Sequence, residues 1–99
     1  MYVIREVVHC KPGKVGQLVE KFKTIAAVMR EMGHRPFRLL TDVSGEPFWT
    51  LVAETSVEKI DGFFAMEQKL MASDALRSAM AGYHDLVNAG KREIYRVES

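Results

Sequence analysis

Arg5 and His9 lie four residues apart in one β-rich run, Arg38 and Asp42 in a second, and Trp49 and Glu54 in a third, with Tyr95 in a last run near the end of the chain. A histidine titrating near neutrality can move protons, and an arginine can hold a carboxylate or an enolate. His9 and Arg38 are therefore the candidate catalytic residues, and Arg5, Asp42, Trp49, Glu54 and Tyr95 the candidate ligand pocket. The same charged groups also read as ion pairs at a dimer seam or at strand ends. Trp49 and Tyr95 read as core or interface rings as well as stacking platforms for an aromatic ligand.

Other chemistries find less support. His9, Cys10, His34 and His84 show none of the close spacings of metal ligands, and neighbours in a strand point to opposite faces, so no metal site is expected. No cofactor is expected either: the glycines form no phosphate-cradling loop. Cys10 has no base near it in sequence and is expected to be buried rather than nucleophilic. Met29, Met32 and Met66 suit helix packing or the wall of an adaptable cavity. Tyr83 belongs to an apolar stripe, with His84 and Asp85 beside it in solvent.

Those residues are positioned by a hairpin, residues 37–54, in which two apolar runs flank a Ser-Gly-Glu-Pro tip. Alternation puts Phe37, Leu39, Thr41 and Val43 on one face and Arg38, Leu40 and Asp42 on the other. On the return run Trp49, Leu51 and Ala53 share the more apolar face, opposite Phe48, Thr50, Val52 and Glu54. Matching the apolar sets pairs Leu39 with Leu51, leaves Ser44, Gly45 and Glu46 as the loop, and starts the return strand at Pro47. Residues 2–10 form a strand with Ile4, Val8 and Cys10 on one face and Val3, Arg5, Val7 and His9 on the other. Glu6 spoils the first of these faces and Arg5 the second, so alternation does not say which is inward.

Lys11-Pro12-Gly13 is a turn. Val15, Leu18, Phe22, Ile25, Met29 and Met32 then form an apolar stripe at three- and four-residue steps, which predicts a helix over 14–32 stopped by Gly33 and Pro36. After the hairpin, Ser56, or Thr55 with Glu58, is the expected cap of a second helix with Val57, Ile60, Phe63, Phe64 and Met71 on its apolar side. A new cap at Ser73 breaks that helix, and Leu76, Met80, Tyr83 and Val87 continue it to a stop at Asn88-Ala89-Gly90. Residues 91–97 form the last strand. The order βαββαβ predicts one α+β domain over residues 1–99: a ferredoxin-like, four-stranded antiparallel sheet with helices on one face and the first and third strands central. Leu40, Phe48 and Val52 make the other face too apolar for solvent, so pairing with a second copy is expected, with a two-layer monomer as the alternative.

Of 99 residues 47% are hydrophobic and 27% charged, the profile of an ordinary globular chain. The net charge is +1, with eight Lys/Arg and five Asp/Glu in the first fifty residues, which gives no case for a nucleic-acid partner. No run approaches a membrane span, one cysteine allows no internal disulfide, and the first residues lack the pattern of a signal peptide. A cytoplasmic, intact protein with no membrane partner is expected.

Val8-His9-Cys10-Lys11-Pro12-Gly13-Lys14 leading into the Phe22 helix, and Leu51-Val52-Ala53-Glu54 closing the hairpin, resemble the dimeric α/β-barrel superfamily in its NIPSNAP-like and antibiotic-biosynthesis-monooxygenase-like branches. The resemblance implies sheets paired face to face in a homodimer. It also implies a cavity between sheet and helices or within the shared barrel. By it Cys10 faces the core and Arg5 and His9 the opposite side. Some monooxygenases of this superfamily act on an aromatic substrate without a metal. Haem-degrading relatives use an Asn, Trp and His set, but the only asparagine here is Asn88, so that chemistry does not carry over. The expected function is binding of a small aromatic or acidic molecule in a cavity. The alternatives are a cofactor-independent monooxygenase-like enzyme using His9, and a structural dimer without ligand.

Overall fold

The computed structural model describes residues 1–45 and 47–99. The elements run β1 (Tyr2–Cys10), α1 (Val15–Glu31), β2 (Arg38–Thr41), β3 (Thr50–Val57), α2 (Ile60–Met71), α3 (Asp74–Ala79), a 3-10 turn (Tyr83–Asp85) and β4 (Val87–Arg96). The sheet is antiparallel with order β2-β3-β1-β4, so the first and third strands are central as the sequence predicts.

Helix α1 follows the predicted stripe, burying Leu18, Phe22, Ile25 and Met29 on the sheet. Its end is fixed by Gly33 at φ +80, where the His34 N–H donates to the Met29 carbonyl and the Gly33 N–H to that of Arg30. This reverse-turn cap satisfies carbonyls the helix would leave open. Ile4, Val8, Cys10, Leu51 and Ala53 supply the sheet side of the core, and Phe63, Met66, Leu70 and Leu76 the second helical layer. The alternation left undecided in β1 is thereby resolved: Ile4, Val8 and Cys10 face the helices.

Several boundaries differ from the sequence expectation. The hairpin pairs Leu39 with Ala53 and Thr41 with Leu51, a two-residue shift that keeps the paired side chains on their predicted faces. The return strand starts at Thr50 rather than Pro47, because the Asp42 carboxylate accepts the Thr50 N–H at 2.7 Å and closes the ladder there. Ser44 and Gly45 do lie in the resulting longer loop, and Glu46 lies outside the described residues. Trp49 precedes the strand with φ 63, a conformation uncommon for a bulky residue. Neither Ser56 nor Thr55 caps α2. Both lie in β3, which extends to Val57, and Thr55 is buried opposite Ile4. Consequently α2 buries Phe63, Met66 and Leu70, while Phe64 and Met71 are exposed.

Ser73 does cap α3, accepting the Leu76 N–H at 3.4 Å. That helix ends at Ala79 and not near Asn88, because Gly82 at φ +81 turns the chain. Asn88, Ala89 and Gly90 therefore lie in β4, which runs from Val87 to Arg96 rather than over 91–97, instead of terminating a helix.

Candidate functional site

The strand register lays out the open face, the side of the sheet away from the helices. Arg38 pairs with Glu54, Glu54 with Arg5, and Arg5 with Glu93, giving a row of alternating charge across all four strands. Arg38 Nη2 donates to Glu54 Oε1 at 2.9 Å, and Arg5 Nε lies 3.7 Å from Glu54 Oε2. That second separation is an ion-pair distance but too long for a hydrogen bond. The buried Arg5 Nε thus has no hydrogen-bond partner among the described residues.

At the loop end of this face, described residues of the hairpin loop border a pocket on the sheet. Ser44, Gly45 and Pro47 join Arg5, Val7, His9, Thr50 and Lys91 around a pocket of about 320 Å³. His9 Nδ1 lies 3.1 Å from Thr50 Oγ1, and Thr50 Oγ1 lies 2.7 Å from the Pro47 carbonyl oxygen. A carbonyl only accepts, so the single hydroxyl proton of Thr50 goes to Pro47 and His9 Nδ1 must donate to Thr50. Neutral His9 then carries its proton on Nδ1, and Nε2 keeps a free lone pair. Lys91 lies 3.4 Å from Glu93, which offsets its charge.

The predicted site residues are thus only partly united. Arg5 and His9 share the tip pocket, and Asp42 meets it through the Thr50 N–H. Arg38 and Glu54 belong to the charge row beside it. Tyr95 lies further along the open face, opposite Val3, and is half exposed. Trp49 is not in the strand that its alternation presumes: φ 63 takes it out of the pleat, and it is 42% exposed.

A second cavity, about 300 Å³, lies between the sheet and the helices. Phe22, Ile25, Phe37, Phe63, Met66 and Leu70 make most of its wall, and Glu6, Glu67 and Arg92 form a polar group within it. Arg92, paired with Glu6 across β1 and β4, donates from Nε to Glu6 Oε1 at 2.5 Å and forks from both Nη atoms onto the carboxylate of Glu67 on α2. Its guanidinium also lies 5.4 Å from the centroid of Phe63, within cation–π range. The hydrogen bonds to Glu67, with Glu6 adding to them, raise the Arg92 pKa against the opposing effect of burial. None of these three charged residues was selected from the sequence. The available signal was Glu6 itself, a carboxylate on the otherwise apolar face of β1, which calls for a partner inside the fold.

Cys10 is buried on the helix side, away from His9, and desolvation, followed by the nearby Asp42 carboxylate, raises its pKa. Desolvation does the same to Tyr83, with Cys10 and Glu6 contributing. Among the described residues no three His, Cys, Asp or Glu side chains converge as metal ligands, and no helix is long and apolar enough to cross a membrane.

No protein-family model matches this sequence, and no curated protein matches it. Solved structures do match. An uncharacterised NIPSNAP domain protein from Burkholderia xenovorans superposes with a TM-score of 0.84 at 13% identity, over 100% of this chain and 96% of that one. A NIPSNAP family protein from Agrobacterium tumefaciens gives 0.82 at 11% identity, over 96% and 90%. A candidate antibiotic biosynthesis monooxygenase from Nitrosomonas europaea gives 0.73 at 17% identity, over 100% of both chains. The chain therefore has the ferredoxin-like α+β fold of NIPSNAP and antibiotic-biosynthesis-monooxygenase-like proteins, as its sequence resemblance implies.

Proposed function

We propose that this protein is a homodimeric α/β-barrel binding protein that takes a small aromatic molecule into the cavity between its sheet and helices. The observation that carries this is the cavity wall. Phe22, Phe37, Phe63, Met66 and Leu70 surround a volume sufficient for one small ring compound, with polar groups confined to Glu6, Glu67, Arg92 and the exposed, Asp74-paired Arg77. Aromatic and methionine walls adapt to flat ligands at little conformational cost. Pairing of the open faces is supported by Leu40, Tyr95 and Val97, all large, apolar and exposed, and by the Arg38–Glu54–Arg5–Glu93 row. Alternating charges can complement themselves across a two-fold axis.

A thermal-shift screen over phenols, quinones, aromatic amines and small acids tests the binding. Stabilisation by ring compounds that vanishes in Leu70→Trp, which fills the cavity, is expected. Stabilisation unaffected by that substitution places the ligand elsewhere. Sedimentation should give twice the 11.2 kDa chain mass, and a monomer at micromolar concentration removes the barrel.

One set of observations favours a second role at the tip pocket. The Nε2 lone pair of His9 and the partly exposed Arg5 side chain suit proton abstraction from a small acid whose anion Arg5 would hold, the arrangement of a cofactor-independent monooxygenase-like enzyme. Loss of turnover in His9→Ala with the dimer intact is the expected result. Unchanged turnover removes His9 from catalysis.

A further inference from the structure

From the charge of the interlayer cavity, and resting on the proposal that this cavity binds a ligand, we infer that its occupant is an arylalkylamine held by its ammonium group, and that aryl-substituted carboxylates are rejected. The polar group holds two carboxylates, Glu6 and Glu67, against one guanidinium, Arg92, and so carries one uncompensated negative charge. Arg77 also borders the cavity, but its side chain is 69% exposed and lies 3.1 Å from Asp74, so water and that carboxylate offset its charge.

The hydrogen bonds divide the same way. Arg92 directs Nε to Glu6 Oε1 and both Nη atoms to the two oxygens of Glu67, which commits the donors that would otherwise receive a ligand carboxylate. Glu6 Oε2 accepts no hydrogen bond among the described residues, and Glu6 borders the cavity. A ligand ammonium there gains a charge-assisted bond and neutralises the excess charge, while its ring lies among Phe22, Phe37 and Phe63. An anion in that place meets two carboxylates and no uncommitted cation.

The test is calorimetric titration of the full chain with 2-phenylethylamine, 2-phenylethanol and phenylacetate, closely similar in shape, with ethylbenzene solubility-limited binding followed by thermal shift. The amine should bind about tenfold or more tightly than the alcohol, as expected of a hydrogen bond to a charged group, and phenylacetate more weakly still. Glu6→Gln should bring amine and alcohol to within about threefold, the residue of neutral hydrogen bonding. Should Glu6→Gln fail to fold, Glu67→Gln removes the same unit of charge and must reduce the amine preference. Phenylacetate binding as tightly as the amine overturns the assignment, as does an amine preference that survives both substitutions. If the alcohol and ethylbenzene bind but the amine gains nothing, the charge assignment falls while the cavity proposal stands. If none of the four binds, both fall.

Discussion

On the helix side of the sheet, Arg92 is held between Glu6 and Glu67 and lies against Phe63. On the open side, Arg5 lies 3.7 Å from Glu54 and keeps a buried Nε without a hydrogen bond. Both arginines are in neighbouring strands of one sheet, yet one is fully engaged and the other is not. The inner cavity is apolar with a negative remainder; the outer pocket is polar, with Lys91 paired to Glu93 and Arg5 beside Glu54 at ion-pair distance without a hydrogen bond. An expectation of an aromatic or acidic ligand thus divides between two places: rings suit the inner cavity, acids the outer pocket. The difference follows from the number of partners, since the two arginine side chains are similarly exposed, 33% and 37%: Arg92 meets one carboxylate from a strand and another from α2, whereas Arg5 shares Glu54 with Arg38.

Substitutions can break that contrast. The largest effect is expected at Phe63, which is buried and joins α2 to the cavity wall: Phe63→Ala should cost about 3–5 kcal/mol in denaturant unfolding. A loss below about 1 kcal/mol would mean that α2 is not seated on the sheet as described. Next comes Arg92→Ala, which leaves Glu6 and Glu67 facing one another. With one third of the Arg92 side chain exposed, about 1–3 kcal/mol is expected. The counterpart on the open face, Arg38→Ala, removes a side chain that is 71% exposed and should cost under about 1 kcal/mol, a loss erased by salt. Equal losses at Arg92 and Arg38 would abolish the distinction between the two sides.

Alkaline pH sharpens the contrast by acting on the enclosed side. Cys10 and Tyr83 both have pKa values raised chiefly by burial, from ordinary values of 9.0 and 10.0. The fold favours their neutral forms, so their contribution to stability is fully present below about pH 9 and is lost as pH rises toward the folded-state values. Thermal melts should show Tm declining from pH 9 upward, and Cys10→Ala should remove the thiol's part of that decline. A Tm independent of pH over this range would contradict the burial of both groups.

The element order and the α1 stripe were legible because period and capping agreed there: Leu18, Phe22, Ile25 and Met29 lie beneath a helix that Gly33 stops. Hairpin parity was legible but its register was not. The Asp42–Thr50 hydrogen bond fixes the register, and no apolar pattern encodes it. Gly82 was the overlooked stop that ends α3 early. Of the site, Arg5 and His9 could be read from their alternation in β1. The Glu6–Glu67–Arg92 group could not, since its members come from three elements, and only the packed fold brings them into contact.

The central claim is that the cavity between sheet and helices, and not the open face, receives the ring compound. Backbone amide NMR during titration with 2-phenylethylamine tests it most directly. Shifts concentrated at Phe63, Met66, Glu67 and Leu70 on α2, with Arg5, His9 and Lys91 unmoved, are predicted. Shifts confined to Arg5, His9 and Lys91 would contradict it.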